Sequence, residues 1–209
     1  MLELILVRHG VTTWNLEKRF QGQLDTPLSD LGHEQAAMTA DALAGEPVSS
    51  IYTSDLSRAQ QTAYPIAENL GLPMLAEISL RERHFGLFQG KTHAELASDL
   101  PAEFAKWQAR DLTFDFGGDG GETLPRFYKR VELALAAIIK RSIAQTAGTL
   151  NAVIVVTHGG VLNMAHHLAT QTPLEQPRDH ALDNCSINRI GWDGRRFHLI
   201  AWGDVDHLQ

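Results

Sequence analysis

The apolar positions of the chain fall into two kinds of run. "LELILV", Leu2 to Val7, and "NAVIVVT", Asn151 to Thr157, are nearly continuous, as expected of strands buried on both faces. "SSIYTS", Ser49 to Ser54, reads as a shorter strand. Between these runs the period becomes helical. "LGHEQAAMTADALAG" reads as a helix closed by Gly45 and Pro47. "DLSRAQQTAYPIAENLG" places Leu56, Ala59, Ala63, Ile66, Ala67 and Leu70 on one face. Ser54 or Asp55 is expected to cap that helix, Gly71 to end it, and Pro65 to bring a kink or an early irregular turn. A long helix is predicted from Thr123 to about Ala147, with Phe127, Val131, Leu135 and Ile138 facing inward. Another covers "GGVLNMAHHLA", directly behind the second buried strand, and the C-terminal part reads as a hairpin turning at Asp193-Gly194. Between Arg83 and Gly121 the pattern weakens and ends in "GGDGGE", so residues 84–122 read as an inserted lid. The alternation predicts a three-layer α/β fold, a mostly parallel central sheet with helices on both faces, in one domain spanning 1–209.

Composition narrows the class. With 44% hydrophobic and 21% charged residues, 209 residues suffice for a substantial core. A net charge of −7 argues against a general nucleic-acid or membrane-surface binder, yet leaves room for a small anionic substrate in a locally positive pocket. The single cysteine, Cys185, permits no intrachain disulfide and suits a reducing cytoplasm. Glu3 stands where a signal peptide needs basic residues, and no apolar run approaches the roughly 18 residues of a membrane span. A cytoplasmic protein without a targeting segment is expected.

The chemistry gathers where apolar runs stop. "LILVRHGV" and "VIVVTHGGV" share one design: a buried strand, then His-Gly, then a turn. Ligands of open α/β sheets bind beyond the carboxyl ends of the strands, so His9 and His158 are expected to face one another there. "IYTSDLSRA" repeats the arrangement with Arg58 about one turn into the next helix. Gly10, Gly159 and Gly160 allow tight turns and close approach to a ligand, and the helix behind Gly160 is expected to aim N–H groups at an anion. Arg8 and Arg58 supply planar forks that match phosphoryl oxygens. A lone histidine at a strand end is ordinarily structural; several such residues at successive strand ends point to a phosphate pocket.

The stretches "LVRHGVTTWNLEKRFQGQLDTPLSDLGHEQA", "YTSDLSRAQQTA", "LRERHFGLFQGKT" and "VTHGGV" resemble, in order and over nearly the whole chain, the histidine phosphatase superfamily, also called the phosphoglycerate mutase-like family. The resemblance rests on Arg-His-Gly after a strand, Ser-x-x-x-Arg-x-x-x-Thr, Arg-Glu-x-x-Phe-Gly, and a late His-Gly. It implies that His9 is the nucleophile, forming a phosphohistidine, and that Arg8, Arg58 and His158 hold the transferring phosphoryl group. It further implies that Asn15, Gln21, Gly22 and Gly159 contact phosphate or substrate and that Glu82 donates a proton to the leaving group. These residue types suit that chemistry, since neutral imidazole is a good nucleophile near pH 7 and phosphoryl transfer depends on positioning and charge stabilisation. A small phosphorylated substrate is expected, with no cofactor and no metal; a homodimer is implied by the family alone.

Other signals read as structural. "GLFQGKT" has three residues between its glycines where a P-loop needs four, and no apolar strand precedes it. His166 and His167 are adjacent on a helix and point apart, and "HEQAA" lacks the second histidine of a zinc helix. Trp14 reads as a packing residue, Arg83 and His84 as solvated loop residues, and Cys185 as a small buried hydrophobe.

The expected activity is phosphomonoester hydrolysis. The alternative is a phosphoglycerate mutase, which shares the first step and returns the phosphoryl group to another hydroxyl. The family's mutases carry a longer insertion after the glutamate segment and a shielding C-terminal tail, whereas about seven residues, "GDVDHLQ", follow the last predicted strand here. A phospholigand-binding module without turnover is disfavoured by the presence of nucleophile, acid and both arginines. The residues that read the organic part of the substrate match no decodable pattern.

Overall fold

In the computed structural model, which describes residues 1–145 and 152–209, the chain runs β1 (Leu2–Arg8), α1 (Thr13–Leu16), α2 (Asp30–Leu43), β2 (Val48–Thr53), α3 (Ser57–Leu70), β3 (Met74–Ala76), α4 (His93–Asp99), α5 (Pro101–Gln108), α6 (Leu124–Gln145), β4 (Ala152–Thr157), α7 (Gly159–Thr170), β5 (Ile187–Trp192) and β6 (Phe197–Asp204). The predicted end of the long helix at Ala147 and the predicted strand start at Asn151 lie outside the described residues.

The strands form one six-stranded sheet, ordered β3-β2-β4-β1-β5-β6. β3, β2, β4 and β1 are parallel, and β5 and β6 add antiparallel at one side. Alternation along the pleat sends Leu2, Leu4 and Leu6 of β1, with Val153 and Val155 of β4, against α6 and α7. Ile5 and Val7, with Ile154 and Val156, face α2 and α3. Both faces are covered, which is why these strands read as unbroken apolar runs and why the fold is a three-layer α/β sandwich.

One expectation for α3 is corrected. Its N-cap is Leu56, whose side chain caps nothing. The first-turn donors are met from a distance: Ser57 gives its N–H and its hydroxyl to Asp25 Oδ1, each at 2.8 Å. Ser54 and Asp55 serve elsewhere, Asp55 in a two-pronged pair with Arg81. The helix contains Pro65 and ends, as expected, at a left-handed Gly71.

Residues 84–122 carry α4, α5 and a 3-10 turn at Gly86–Phe88 around an aromatic cluster of their own. Phe88, Phe114 and Phe116 are buried, with Phe20, Phe104 and Trp107 packed against them. Arg130 on α6 fastens both ends of the segment, donating to the carbonyls of Arg81 (2.8 Å) and Glu82 (3.1 Å) and to the Glu122 carboxylate (2.8 Å). The P-loop look-alike lies here in other roles: Lys91 pairs with Asp99, and Thr92 caps α4 in a box with Glu95. Among the described residues no helix is long and apolar enough to cross a membrane.

Candidate active site

Arg8 of β1 pairs in register with Thr157 of β4, and the His9 N–H donates to the Thr157 carbonyl at 2.9 Å. His9 and His158 therefore leave adjacent parallel strands at the same edge, and their rings stand 5.2 Å apart between centroids. β2 flanks β4 on the other side, so Arg58, in the first turn of α3, arrives at the same edge. All three side chains are buried, and Arg58 is fully so.

Hydrogen bonds set the tautomers. His9 Nδ1 donates to the Gly10 carbonyl at 2.8 Å, which leaves Nε2 with its lone pair. Ser54 Oγ accepts from the Leu56 N–H at 3.4 Å and lies 2.9 Å from His158 Nε2; with its hydroxyl as the donor in that contact, the proton of His158 is on Nδ1. That Nδ1 is buried without a protein partner, as are Arg8 Nε and Arg58 Nε. Burial, reinforced by the Arg58 and Arg8 guanidiniums, drives His9 well below the ordinary histidine pKa. Burial and Arg58 do the same to His158. Both rings are therefore neutral near pH 7. Arg58 is pulled down by burial only to about 10 and stays charged.

The Ser-x-x-x-Arg-x-x-x-Thr spacing acquires a physical reason. Ser54 orients His158, and Arg58 is clamped by the Leu24 and Gly22 carbonyls at 2.9 and 2.7 Å. Thr62, one turn beyond Arg58 on the same face, accepts the Gly10 N–H at 3.0 Å and fixes the turn after His9.

The first turn of α7 differs from expectation. Rather than facing an anion from solution, its Gly160 N–H donates to Glu82 Oε2 at 2.9 Å. Oε1 accepts the Arg83 N–H at 2.7 Å. A Cβ at Gly160 would stand 2.1 Å from Glu82 Oε1, so only glycine admits the carboxylate here.

The remaining expected residues converge. Asn15 spends its carbonyl oxygen on the Thr12 N–H and hydroxyl at 3.0 Å each, and Gln21 spends its own on Thr26 at 2.7 Å. Both line a cavity of about 460 Å³ that Arg8, His9, Arg58 and Glu82 also line, together with Gly22, and both keep NH2 groups as their donors. Gly159 lines an adjoining cavity of about 490 Å³, its position close against Arg8 Nε.

Arg83 and His84 are half-buried and hydrogen-bonded rather than solvated loop residues. Arg83 donates to the Glu122 carbonyl at 2.9 Å, lies 4.5 Å over the Phe116 ring, and is pulled down by burial to about 10. His84 accepts the Gly86 N–H and donates its own backbone N–H to Glu122. The irregular stretch after α7 supplies residues that no period in the sequence marks. Asn184 donates to the His9 and Gly10 carbonyls, and the Leu182 carbonyl accepts from Arg8. His166 and His167 do diverge, toward His180 and Thr172 respectively, and Cys185 is buried, which raises its thiol to about 11. Among the described residues no group of three or more His, Cys, Asp and Glu is arranged to hold a metal ion.

A neutral, lone-pair-bearing imidazole beside the Arg8 and Arg58 guanidiniums, sharing a cavity with the Glu82 carboxyl group at the carboxyl edge of a parallel sheet, has the residue types that phosphoryl transfer uses. The chain belongs to the histidine phosphatase superfamily, branch 1, whose family model matches residues 4–205. It is similar to the Arabidopsis thaliana phosphoglycerate mutase-like protein 4, with 36% identity covering 99% of this chain and 87% of the relative. A metal-independent phosphoserine phosphatase from the same plant is also 36% identical, over 99% of this chain and 83% of its own. The solved structure of a mycobacterial glucosyl-3-phosphoglycerate phosphatase complexed with VO3 superposes with a TM-score of 0.83 at 30% identity, covering 98% of this chain and 100% of that one.

Proposed function

We propose that His9 Nε2 attacks the phosphorus of a small phosphomonoester, that Arg8, Arg58 and His158 Nδ1 hold the transferring oxygens, and that Glu82 protonates the departing alcohol. Asn15 and Gln21 orient the phosphoryl group through their NH2 donors. Water then takes the phosphoryl group from His9, with Glu82 accepting its proton. The observation that carries this reading is the His9 tautomer: Nδ1–H is committed to the Gly10 carbonyl, so the lone pair on Nε2 belongs to a ring kept neutral beside two arginines. Residues 84–122 serve as the lid over this pocket. No divalent ion is required, because the guanidiniums supply the positive charge. The phosphatase names of two relatives support hydrolysis, and one relative's mutase-like name keeps the transfer reading in view.

The test is to denature the enzyme rapidly during turnover and locate bound phosphate. Label on His9, acid-labile and base-stable, followed by release as inorganic phosphate, is the expected result. Retained turnover without label in His9→Ala overturns the reading. Interconversion of 2- and 3-phosphoglycerate faster than phosphate appears replaces it with the mutase.

A further inference from the structure

The attacking nitrogen and the departing oxygen lie on opposite sides of phosphorus. If Glu82 protonates that oxygen, the organic part of the substrate leaves the phosphate pocket on the Glu82 side. Glu82 is bound to the Gly160 N–H, and Gly160 lines the adjoining cavity of about 490 Å³. Arg8, Phe85, Trp107 and Arg178 border both cavities, so the two are continuous. A space of this size accommodates far more than a three-carbon unit.

Its walls are specific. Phe114, Phe127, Leu124 and Met164 make one side apolar. Into this space are set two guanidiniums, Arg110 from the end of α5 and Arg178 from the stretch after α7. Burial and the charge of Arg178 weigh on Arg110, and no carboxylate offsets them. The nearby Asp111 spends Oδ1 on the Thr113 N–H and hydroxyl. Arg110 gives one hydrogen bond, to the Leu174 carbonyl at 2.9 Å, while its Nε is buried without a partner. Its backbone holds φ at 54°, a left-handed conformation uncommon outside glycine. Arg178 makes no hydrogen bond or ion pair among the described residues. Asn163, from α7, has its side-chain carbonyl oxygen buried without a donor. Two like charges and an unmet acceptor around one apolar space call for a ligand of complementary pattern.

We propose that this cavity is the leaving-group subsite, and that the substrate is a phosphomonoester with an extended, partly apolar organic part that gives a hydrogen bond to Asn163 and ends in an anionic group between Arg110 and Arg178. The inference rests on the phosphatase reading above and specifies its substrate class. Arg83 is not part of the anion clamp, because the Glu122 and Phe114 carbonyls already occupy it.

The test compares hexyl phosphate with its ω-carboxylate, ω-phosphate and ω-amine, and uses p-nitrophenyl phosphate as a compact reference. The expected kcat/KM preference for an anion-terminated ester over hexyl phosphate is about tenfold or more, expressed in KM, as charge-assisted contacts to the far end provide. Which anion is preferred distinguishes a carboxylate ligand from a second phosphate. Arg178→Glu, a change at an exposed side chain that the fold does not use, is expected to abolish that preference and to favour the ω-amine. Arg110→Gln is expected to bring the ratio close to one. Equal or better turnover of hexyl phosphate by the unmodified enzyme overturns the proposal, as does a preference that survives Arg178→Glu. Label on His9 from p-nitrophenyl phosphate with none of the hexyl esters hydrolysed overturns the subsite alone. Absence of label from every ester sinks the phosphatase reading itself.

Discussion

The Glu82 carboxylate and the Gly160 N–H are joined by a 2.9 Å hydrogen bond, which ties a residue that shares the His9 cavity to the first turn of the helix that follows His158. The proposed acid and a proposed phosphate ligand are thereby set by one helix terminus, and a change of one methyl group there separates them.

Gly160→Ala is expected to fold, because the intruding Cβ meets the end of a flexible side chain, yet to displace Glu82. Alkyl phosphates, whose leaving groups need a proton, should lose roughly 10²-fold in kcat, while p-nitrophenyl phosphate loses little. Parallel steady-state assays on the two ester classes check this.

Glu82→Gln should show the same selectivity without the steric change. The amide oxygen can accept only one of the two N–H groups, Gly160 and Arg83, that the carboxylate accepts, so a modest fall in thermal stability is expected beside the selectivity. An equal loss on aryl and alkyl esters would remove Glu82 from the acid role.

Arg8→Ala should keep the phosphohistidine detectable but lower kcat/KM by about 10²-fold or more, the scale of one lost donor to a transferring oxygen in a buried site. Rapid-quench labelling beside steady-state rates separates this from loss of the nucleophile.

Ser54→Ala should release His158 to the other tautomer and reduce kcat by roughly tenfold; Ser54→Thr, which restores the hydroxyl, should recover much of it. Nitrogen chemical shifts of the His158 ring report the tautomer directly.

The buried histidines also tie stability to pH. His9 and His158 are held well below the unfolded value of about 6.5, so below that pH the unfolded chain binds more protons than the native one. Stability is therefore lost as pH falls below about 6.5, by up to about 1.4 kcal/mol per pH unit for each ring until its folded pKa is reached. Denaturant unfolding at pH 7 and pH 5, repeated with His9→Ala, should show a smaller difference in the variant. For the same reason turnover should persist below pH 6.5, where an ordinary histidine would be protonated.

Legibility in the sequence follows burial and regularity. β1 and β4 are plain to read because a strand covered on both faces has no polar position to interrupt it. β3, three residues long with Leu75 and Ala76 exposed, carries no such signal. His9 and His158 each follow a buried strand directly, and Arg58 stands one helical turn beyond another, so position along the chain foretells direction. Glu82 sits in an irregular segment and is legible only through resemblance to a family. Arg110, Arg178 and Asn184 come from stretches without a period, where sequence order says nothing about which way a side chain points. Distance hides the cap of α3 as well, since Asp25 reaches Ser57 from a separate loop.

The place of β1 in the sheet also governs when the pocket comes into being. The first strand to be synthesised waits for both of its neighbours, because β4 and β5 come from the last third of the chain. Asn184, which grips the carbonyls of His9 and Gly10, lies 175 residues after His9. Contacts of such sequence separation form slowly. A nascent chain halted before β5 would hold its nucleophile on a strand lacking a partner on that side, so recovery of activity on refolding should trail recovery of helical signal and mark completion of the whole sheet.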